Sequence, residues 1–353
     1  MTKIFLIRHA EAEGNLYRFA QGQCEGLITP RGYVQIEQLK KRFENEKIDA
    51  VYSSDLIRTQ VTATSVTEPH GLPLTTSPML REVAMGDWEE MPWGDIERSN
   101  PEMLAKFSLD PANWQVEGSE AYEDVIKRVK DFIAQAAERH AGQTIAIFCH
   151  GFAIRSFFCR LMGYASNETR NLPYCDNTAV ALLNYENGEF TIAYQGDNSH
   201  LEAQESTFAQ QQWWRDGKDH WKTENMRYVE IDENRDAAVL EAYSNEFGPL
   251  PKSSTAFATF LGDMPAGLVG FSKAGDDAGE IDFIFLMPGL RNLRFGIQLL
   301  GKAVAHFRRQ KVETLRIKVK EGTPIYKLCK KHWFQEVRQE GRSCVLEKNI
   351  RNW

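Results

Sequence analysis

Four short apolar runs punctuate the first 200 residues: "IFLI" (4–7), "DAVYS" (49–53), "TIAIFC" (144–149) and "AVALLNY" (179–185). Between them, residues 31–45, 56–67 and 122–139 have helical periodicity and few β-branched breaks. A strand reads as an unbroken apolar run, without alternation, when both of its faces are covered. The pattern therefore predicts an α/β unit, a mostly parallel sheet sandwiched between helices in three α/β/α layers.

In such a sheet, ligands gather outside the carboxyl ends of the strands, and polar residues stand at those ends here. Arg8 and His9 follow "IFLI" directly, His150 follows "TIAIFC", and Arg58 lies just past "DAVYS", in "SSDLIRTQ". Taken singly, each has a plain structural reading, a hydrogen-bonded histidine or a surface ion pair. Four of them on one edge of one sheet are a less ordinary coincidence. Two arginines and two histidines, with neither H-x-x-x-H nor cysteine ligand spacing, fit a phosphate better than a metal.

These residues carry a resemblance. "LIRHAEAEGN" (6–15) resembles the R-H-G signature of the histidine phosphatase superfamily, which includes phosphoglycerate mutases, with Ala10 in place of the usual glycine. The likeness continues through "QG" (21–22), "LITPRG" (27–32), "VYSSDLIRTQVTA" (51–63), "LREVAMGDWE" (80–89), "GSEAYEDVIKRV" (118–129), "FCHGFAIR" (148–155) and "NTAV" (177–180). It implies that His9 is a nucleophile forming a phosphohistidine, that Arg8, Arg58 and His150 surround the phosphoryl group, and that Glu82 donates a proton to the leaving oxygen. Without its motif, Glu82 would read as a solvent-facing loop acid. The resemblance places Asn15, Gln21, Gly22 and Gly151 at the substrate and requires neither metal nor cofactor. The short span between "GDWEEMPWGDI" and "GSEAYED" lacks the longer insertion associated with mutases, which favours hydrolysis over mutase-type phosphoryl transfer. Residues 91–117, with Trp93, Phe107 and Trp114, would form the specificity side or ordinary core.

A second unit is expected downstream. Residues 1–224 carry 22 Lys and Arg against 33 Asp and Glu, whereas residues 225–353 carry 20 against 16. The expected division is 1–204, a connector at 205–224 in which Trp213, Trp214 and Trp221 argue for packing in an interface, and 225–353. "EIDFIFLMPGLRNLRFGIQLLGKAVAHFRRQ" (280–310) resembles the acyl-CoA segment of GNAT acetyltransferases, implying a mixed α+β fold and an acetyl-CoA site at Arg291, Arg294 and Gly296. Arg294 replaces the first glycine of that family's Arg/Gln-x-x-Gly-x-Gly loop. In "TPIYKLCKKHWF" (323–334), Cys329 falls where the family often has a tyrosine acid, and Trp333 replaces a glycine.

No charged stretch leading into an apolar one reads as a secretory signal, and no run approaches a membrane span. Six scattered cysteines point to reduced thiols and a cytoplasmic protein. The leading expectation is a phosphatase acting on a small phosphate ester and fused to a GNAT-like unit. The alternatives are a bifunctional protein whose main output is N-acetyl transfer from acetyl-CoA, an acyl-CoA; mutase-type phosphoryl transfer; and a phosphate-binding protein without catalysis. The basic tail carries none of the nucleic-acid motifs, and the sequence leaves the oligomeric state open.

Overall fold

The computed structural model describes residues 1–173, 175–211, 225–275 and 277–352. Trp213, Trp214 and Trp221, together with most of the expected connector, lie outside the described residues. The chain forms two compact units. The first takes in Met1–Asn15, Ala20–Glu89 and Asn100–Trp214, and the second Leu16–Phe19, Glu90–Ser99 and Arg215–Trp353, as far as their residues are described. Two short early stretches thus group with the second unit, in whose apolar core Tyr17 and Phe19 are buried.

The first unit is built on strands β1 (Thr2–Arg8), β2 (Ala50–Ser54), β3 (Leu74–Ser77), β4 (Thr144–Cys149), β5 (Val180–Glu186) and β6 (Glu189–Asp197), in the order β3-β2-β4-β1-β5-β6. The β3, β2, β4 and β1 strands are parallel, as the apolar runs predict. "AVALLNY" departs from that expectation, because β5 runs antiparallel to β1 and turns back into β6. The reason is local: Asn187 and Gly188 adopt φ of 52° and 86°, the left-handed pair of a tight hairpin turn.

Neighbouring residues of β1 explain its unbroken apolar run. Ile4 and Leu6 are 0% and 1% exposed, and Phe5 and Ile7 are 3% and 0%, so neither face meets water. Phe5 and Ile7 pack with Leu39, Phe43, Ala63 and Val66 from the helices Pro30–Phe43 and Ile57–His70. The first of these helices starts cleanly: Thr29 accepts a hydrogen bond from the Gly32 amide, and Pro30 occupies the first turn. The helix Tyr122–Arg139 buries Val125, Ile126, Val129, Ile133 and Ala136, one stripe of a 3.6-residue period.

The second unit is a seven-stranded sheet of β7 (Arg227–Glu230), β8 (Thr255–Leu261), β9 (Met264–Lys273), β10 (Ala278–Leu286), β11 (Thr314–Lys320), β12 (Gln335–Glu340) and β13 (Ser343–Asn349), in the order β12-β13-β11-β10-β9-β8-β7. Its strands are antiparallel except for β10 and β11, whose parallel pairing ends at Ile281 opposite Ile317. Beyond that point β10 stays on β9 as far as Leu286, and β11 stays on β13 as far as Lys320, so the sheet opens between them. The helix Gly296–Arg309 connects the two.

Candidate active site

Strands β1 and β4 run side by side with Arg8 opposite Cys149, which delivers the residues after them to one edge. The rings of His9 and His150 lie 5.3 Å apart between centroids. The β2 strand pairs with β4, and the helix that follows it carries Arg58 as its second residue. His9, Arg58 and His150 are 3%, 1% and 0% exposed, a depth at which ionisable groups need a purpose or a partner.

The His9 main chain is fixed on three sides. Its amide donates to the Cys149 carbonyl, and its carbonyl accepts from the Thr178 amide and from Asn177 Nδ2 at 2.9 Å. The ring is fixed as well, because Nδ1 lies 2.7 Å from the Ala10 carbonyl oxygen, which only accepts. Nδ1 therefore carries the proton, and in the neutral ring Nε2 keeps its lone pair. Burial first, then the Arg58 and Arg8 charges, hold His9 well below the ordinary imidazole range. Burial, Arg58 and His9 do the same to His150, and neither of its ring nitrogens has a hydrogen-bond partner among the described residues. Ala10, the departure from the glycine of the motif, is fully buried with Ala12, Ile28 and Ile36, so its methyl group fills apolar space behind the loop.

Arg58 donates from Nη1 to the Cys24 carbonyl at 2.8 Å and from Nη2 to the Gly22 carbonyl at 2.7 Å. These bonds tie the cation to the 21–24 loop. Glu89 holds the same loop from the other side, accepting from the Gln23 amide and the Cys24 thiol. Gly22 has φ of 50°, and a Cβ there would stand 2.3 Å from the Glu89 carboxylate, so both conformation and space demand glycine. Gln21 packs against Gly14 and Gly26, and its carbonyl accepts from the Cys24 amide.

Arg8 donates from Nη1 to the Cys175 carbonyl at 2.6 Å, while its Nε has no hydrogen-bond partner among the described residues. Gly151 lies beneath it: a Cβ there would be 3.1 Å from Nε. Glu82 joins the group through the helix Gly151–Leu161. Its carboxylate accepts from the amides of Phe152 and Ala153 at 3.1 and 3.0 Å, in the first turn of that helix, which His150 precedes as N-cap. Its charge is felt by both Arg8 and Arg58. Arg128 and Gln23 donate to the Glu82 carbonyl and fix its backbone. Asn15 closes the loop after His9, its amide donating to the Ala12 carbonyl and its Oδ1 accepting from the Ala12 amide.

The structure thus brings Arg8, His9, Arg58, Glu82, His150 and Gly151 together, with Asn15, Gln21 and Gly22 on the adjoining loops. Asn177 and Arg128 were not foreseen as parts of the site; both stand inside quoted motifs, "NTAV" and "GSEAYEDVIKRV". Trp114 is core, 3% exposed and packed with Trp88 and Phe107. Phe107 also stacks on Phe152, and Trp93 belongs to the second unit. No cluster of three or more metal-ligating side chains occurs among the described residues.

In the second unit, Arg291 is paired with Glu246 and donates to the Leu286 carbonyl. Asn292 and Arg294 take φ of 64° and 70°, and Gly296 opens the following helix. Cys329 is fully buried, and burial pushes its thiol up to about 12.

The family model of the histidine phosphatase superfamily (branch 1) matches residues 4–198. Phosphoserine phosphatase 1 of Hydrogenobacter thermophilus is 28% identical over 201 residues, covering 57% of this chain and 95% of that protein. The probable phosphoglycerate mutase GpmB of Yersinia pestis is 27% identical over 207 residues, 57% of this chain and 96% of its own. The solved structure of Bacillus stearothermophilus YhfR superposes with a TM-score of 0.56 at 28% identity, covering 57% of this chain and all of that one. With the strand-end cluster of Arg8, His9, Arg58 and His150 inside the matched span, the chain belongs to branch 1 of the histidine phosphatase superfamily.

Proposed function

We propose that the first unit hydrolyses a small phosphomonoester through a phosphohistidine at His9. The observation that carries this reading is the His9 ring itself, whose Nδ1 is committed to the Ala10 carbonyl at 2.7 Å, which leaves the Nε2 lone pair free in a buried ring under the charges of Arg58 and Arg8. Nε2 attacks phosphorus, the bond from phosphorus to the ester oxygen breaks, and the Glu82 carboxyl gives its proton to that oxygen. Water then attacks the phosphoryl group, Glu82 takes up a proton from it, the N–P bond breaks, and inorganic phosphate leaves with His9 neutral again. Arg8, Arg58 and His150 face the charge on the equatorial oxygens, the main task in a reaction governed by positioning and electrostatics.

The relatives' names, a phosphoserine phosphatase and a probable phosphoglycerate mutase, support a small phosphorylated metabolite as substrate. The short 91–117 segment favours water over a second substrate as acceptor. Six free cysteines support a reducing compartment, and no described helix is long and apolar enough to cross a membrane. Release of phosphate from an aryl phosphate without added metal tests the reading; an inactive wild-type chain across varied esters and pH contradicts it.

A second reading, acyl-CoA binding by a GNAT-like second unit, is favoured by the opening between β10 and β11. Arg294, in place of that family's first loop glycine, takes a left-handed φ of 70°, a conformation that favours glycine. The Glu246 partner of Arg291 and the buried Cys329 weigh against acetyl transfer as the output. Calorimetric titration with acetyl-CoA tests it, and absence of heat and of thermal shift leaves a scaffold role.

A further inference from the structure

We infer that residues 198–211, all but Asn198 of them past the family match, are built into the active site, with Phe208 as a positioning residue for Arg8 and Gln211 as one for Asn15. The inference rests on the functional reading above. The expected connector starts at 205, inside this segment, and Glu202, Ala203 and Gln204 just before it are exposed. Ser206 and Thr207 are instead 6% and 1% exposed, which marks where the chain turns inward.

It grips the site at three places. The Asp176 carboxylate accepts from Asn198 Nδ2 at 3.2 Å, Ser206 Oγ at 2.5 Å and the Phe208 amide at 3.2 Å, as well as from the Asn177 amide. Asp176 is 3% exposed and is the carboxylate that acts most strongly on Arg8. Thr207 Oγ1 donates to Glu11, two residues past the nucleophile, and accepts from Gln35 Nε2. Gln211 Nε2 donates to the Asn15 carbonyl at 2.7 Å.

Between these anchors the Phe208 ring lies against Arg8, with the guanidinium carbon 5.5 Å from the ring centroid, inside cation–π range. Arg8 is thus held by the Cys175 carbonyl, the charge of Asp176 and the Phe208 ring. An aromatic face orients the cation and limits its hydration without occupying any of its N–H donors, so those not given to the Cys175 carbonyl stay available to phosphate oxygens. Because phosphate needs Arg8 in ground state and transition state alike, the ring acts on binding more than on the chemical step.

The test uses the full chain and four variants, Phe208→Ala, Phe208→Leu, Phe208→Tyr and Gln211→Ala, assayed for p-nitrophenyl phosphate turnover and for inhibition by inorganic phosphate and orthovanadate. Phe208→Ala is expected to raise KM and both inhibition constants together by about 3- to 30-fold with kcat little changed, the range a desolvated cation–π contact supplies. Phe208→Tyr keeps wild-type constants. Gln211→Ala raises KM with less effect on inhibition by free phosphate. Should Phe208→Ala fail to fold, Phe208→Leu retains apolar bulk and shows the same joint rise at a wild-type melting temperature. Wild-type constants in Phe208→Ala or Phe208→Leu, or an equal loss in Phe208→Tyr, overturn the positioning role of Phe208. Wild-type KM in Gln211→Ala overturns that of Gln211. All of these leave the phosphatase reading standing. A wild-type chain that neither turns over nor binds phosphate overturns that reading and the inference with it.

Discussion

Glu82 and Phe152 are joined by a hydrogen bond of 3.1 Å from the Phe152 amide to the Glu82 carboxylate, which sets the proposed proton donor on the first turn of the helix that begins beside His150. Replacing Glu82 by Gln keeps an acceptor for that turn and removes the proton. Hydrolysis of an alkyl phosphate should fall about 10²- to 10⁴-fold, the usual worth of a general acid. An aryl phosphate with a good leaving group should lose far less. Steady-state rates on the two substrate types decide it, and equal losses would remove Glu82 from the role.

Arg58 serves the fold and the phosphate together. Arg58→Ala strands the buried Gly22 carbonyl, at about 1–3 kcal/mol for an unsatisfied buried group, and the half-buried Cys24 carbonyl at less. Arg58→Lys offers one ammonium where two carbonyls lie on a planar fork, so it recovers only part of this. Both variants should melt earlier than wild type and lose phosphate binding, with Lys the milder, as read by thermal denaturation with and without phosphate.

Both histidines predict an acid-labile fold. In the folded chain they titrate well below the ordinary 6.5, so the unfolded chain binds more protons just under that value. Their contribution is present in full above pH 6.5 and is lost as pH falls from there through the folded values. Urea titrations should show stability dropping between pH 7 and pH 5, less steeply in His150→Gln. Activity that depends on neutral His9 should hold below pH 6.5 before its acid limb appears.

Gly22→Ala places a methyl group against Glu89 at a left-handed φ. Loss of loop order should raise KM and lower the melting temperature by the equivalent of about 1–3 kcal/mol. Wild-type kinetics in this variant would separate the 21–24 loop from substrate binding.

Much of this was legible in the chain because burial on both faces leaves a strong mark. The unbroken runs "IFLI" and "TIAIFC" give two of the central strands to within two residues at either end, and the residues after them give the site. Strand β12 left no such mark, since "QEVRQE" is an almost wholly exposed edge with nothing to alternate. Strand direction was also hidden: β5 carries the apolar run of a parallel strand, and only the Asn187-Gly188 turn betrays the hairpin. In the second unit, Arg294 and Trp333 replace expected glycines, yet both take positive φ, 70° and 67°. Both side chains are exposed, so the left-handed backbone is kept at these positions without glycine and without burial of the side chain. Phe208 and Gln211 were hidden because they sit in a polar stretch without period, and only the fold brings them back to Arg8 and Asn15.

The central claim is a covalent phosphoryl group on His9 Nε2. The direct measurement is alkaline quenching of the full chain during turnover of an aryl phosphate, followed by peptide mass mapping. The good leaving group speeds phosphorylation relative to hydrolysis, so the intermediate accumulates. One phosphoryl group should appear on the peptide containing His9 and be absent from His9→Ala, which should not turn over. Turnover by His9→Ala, or a phosphoryl group mapped to another residue, would contradict the account.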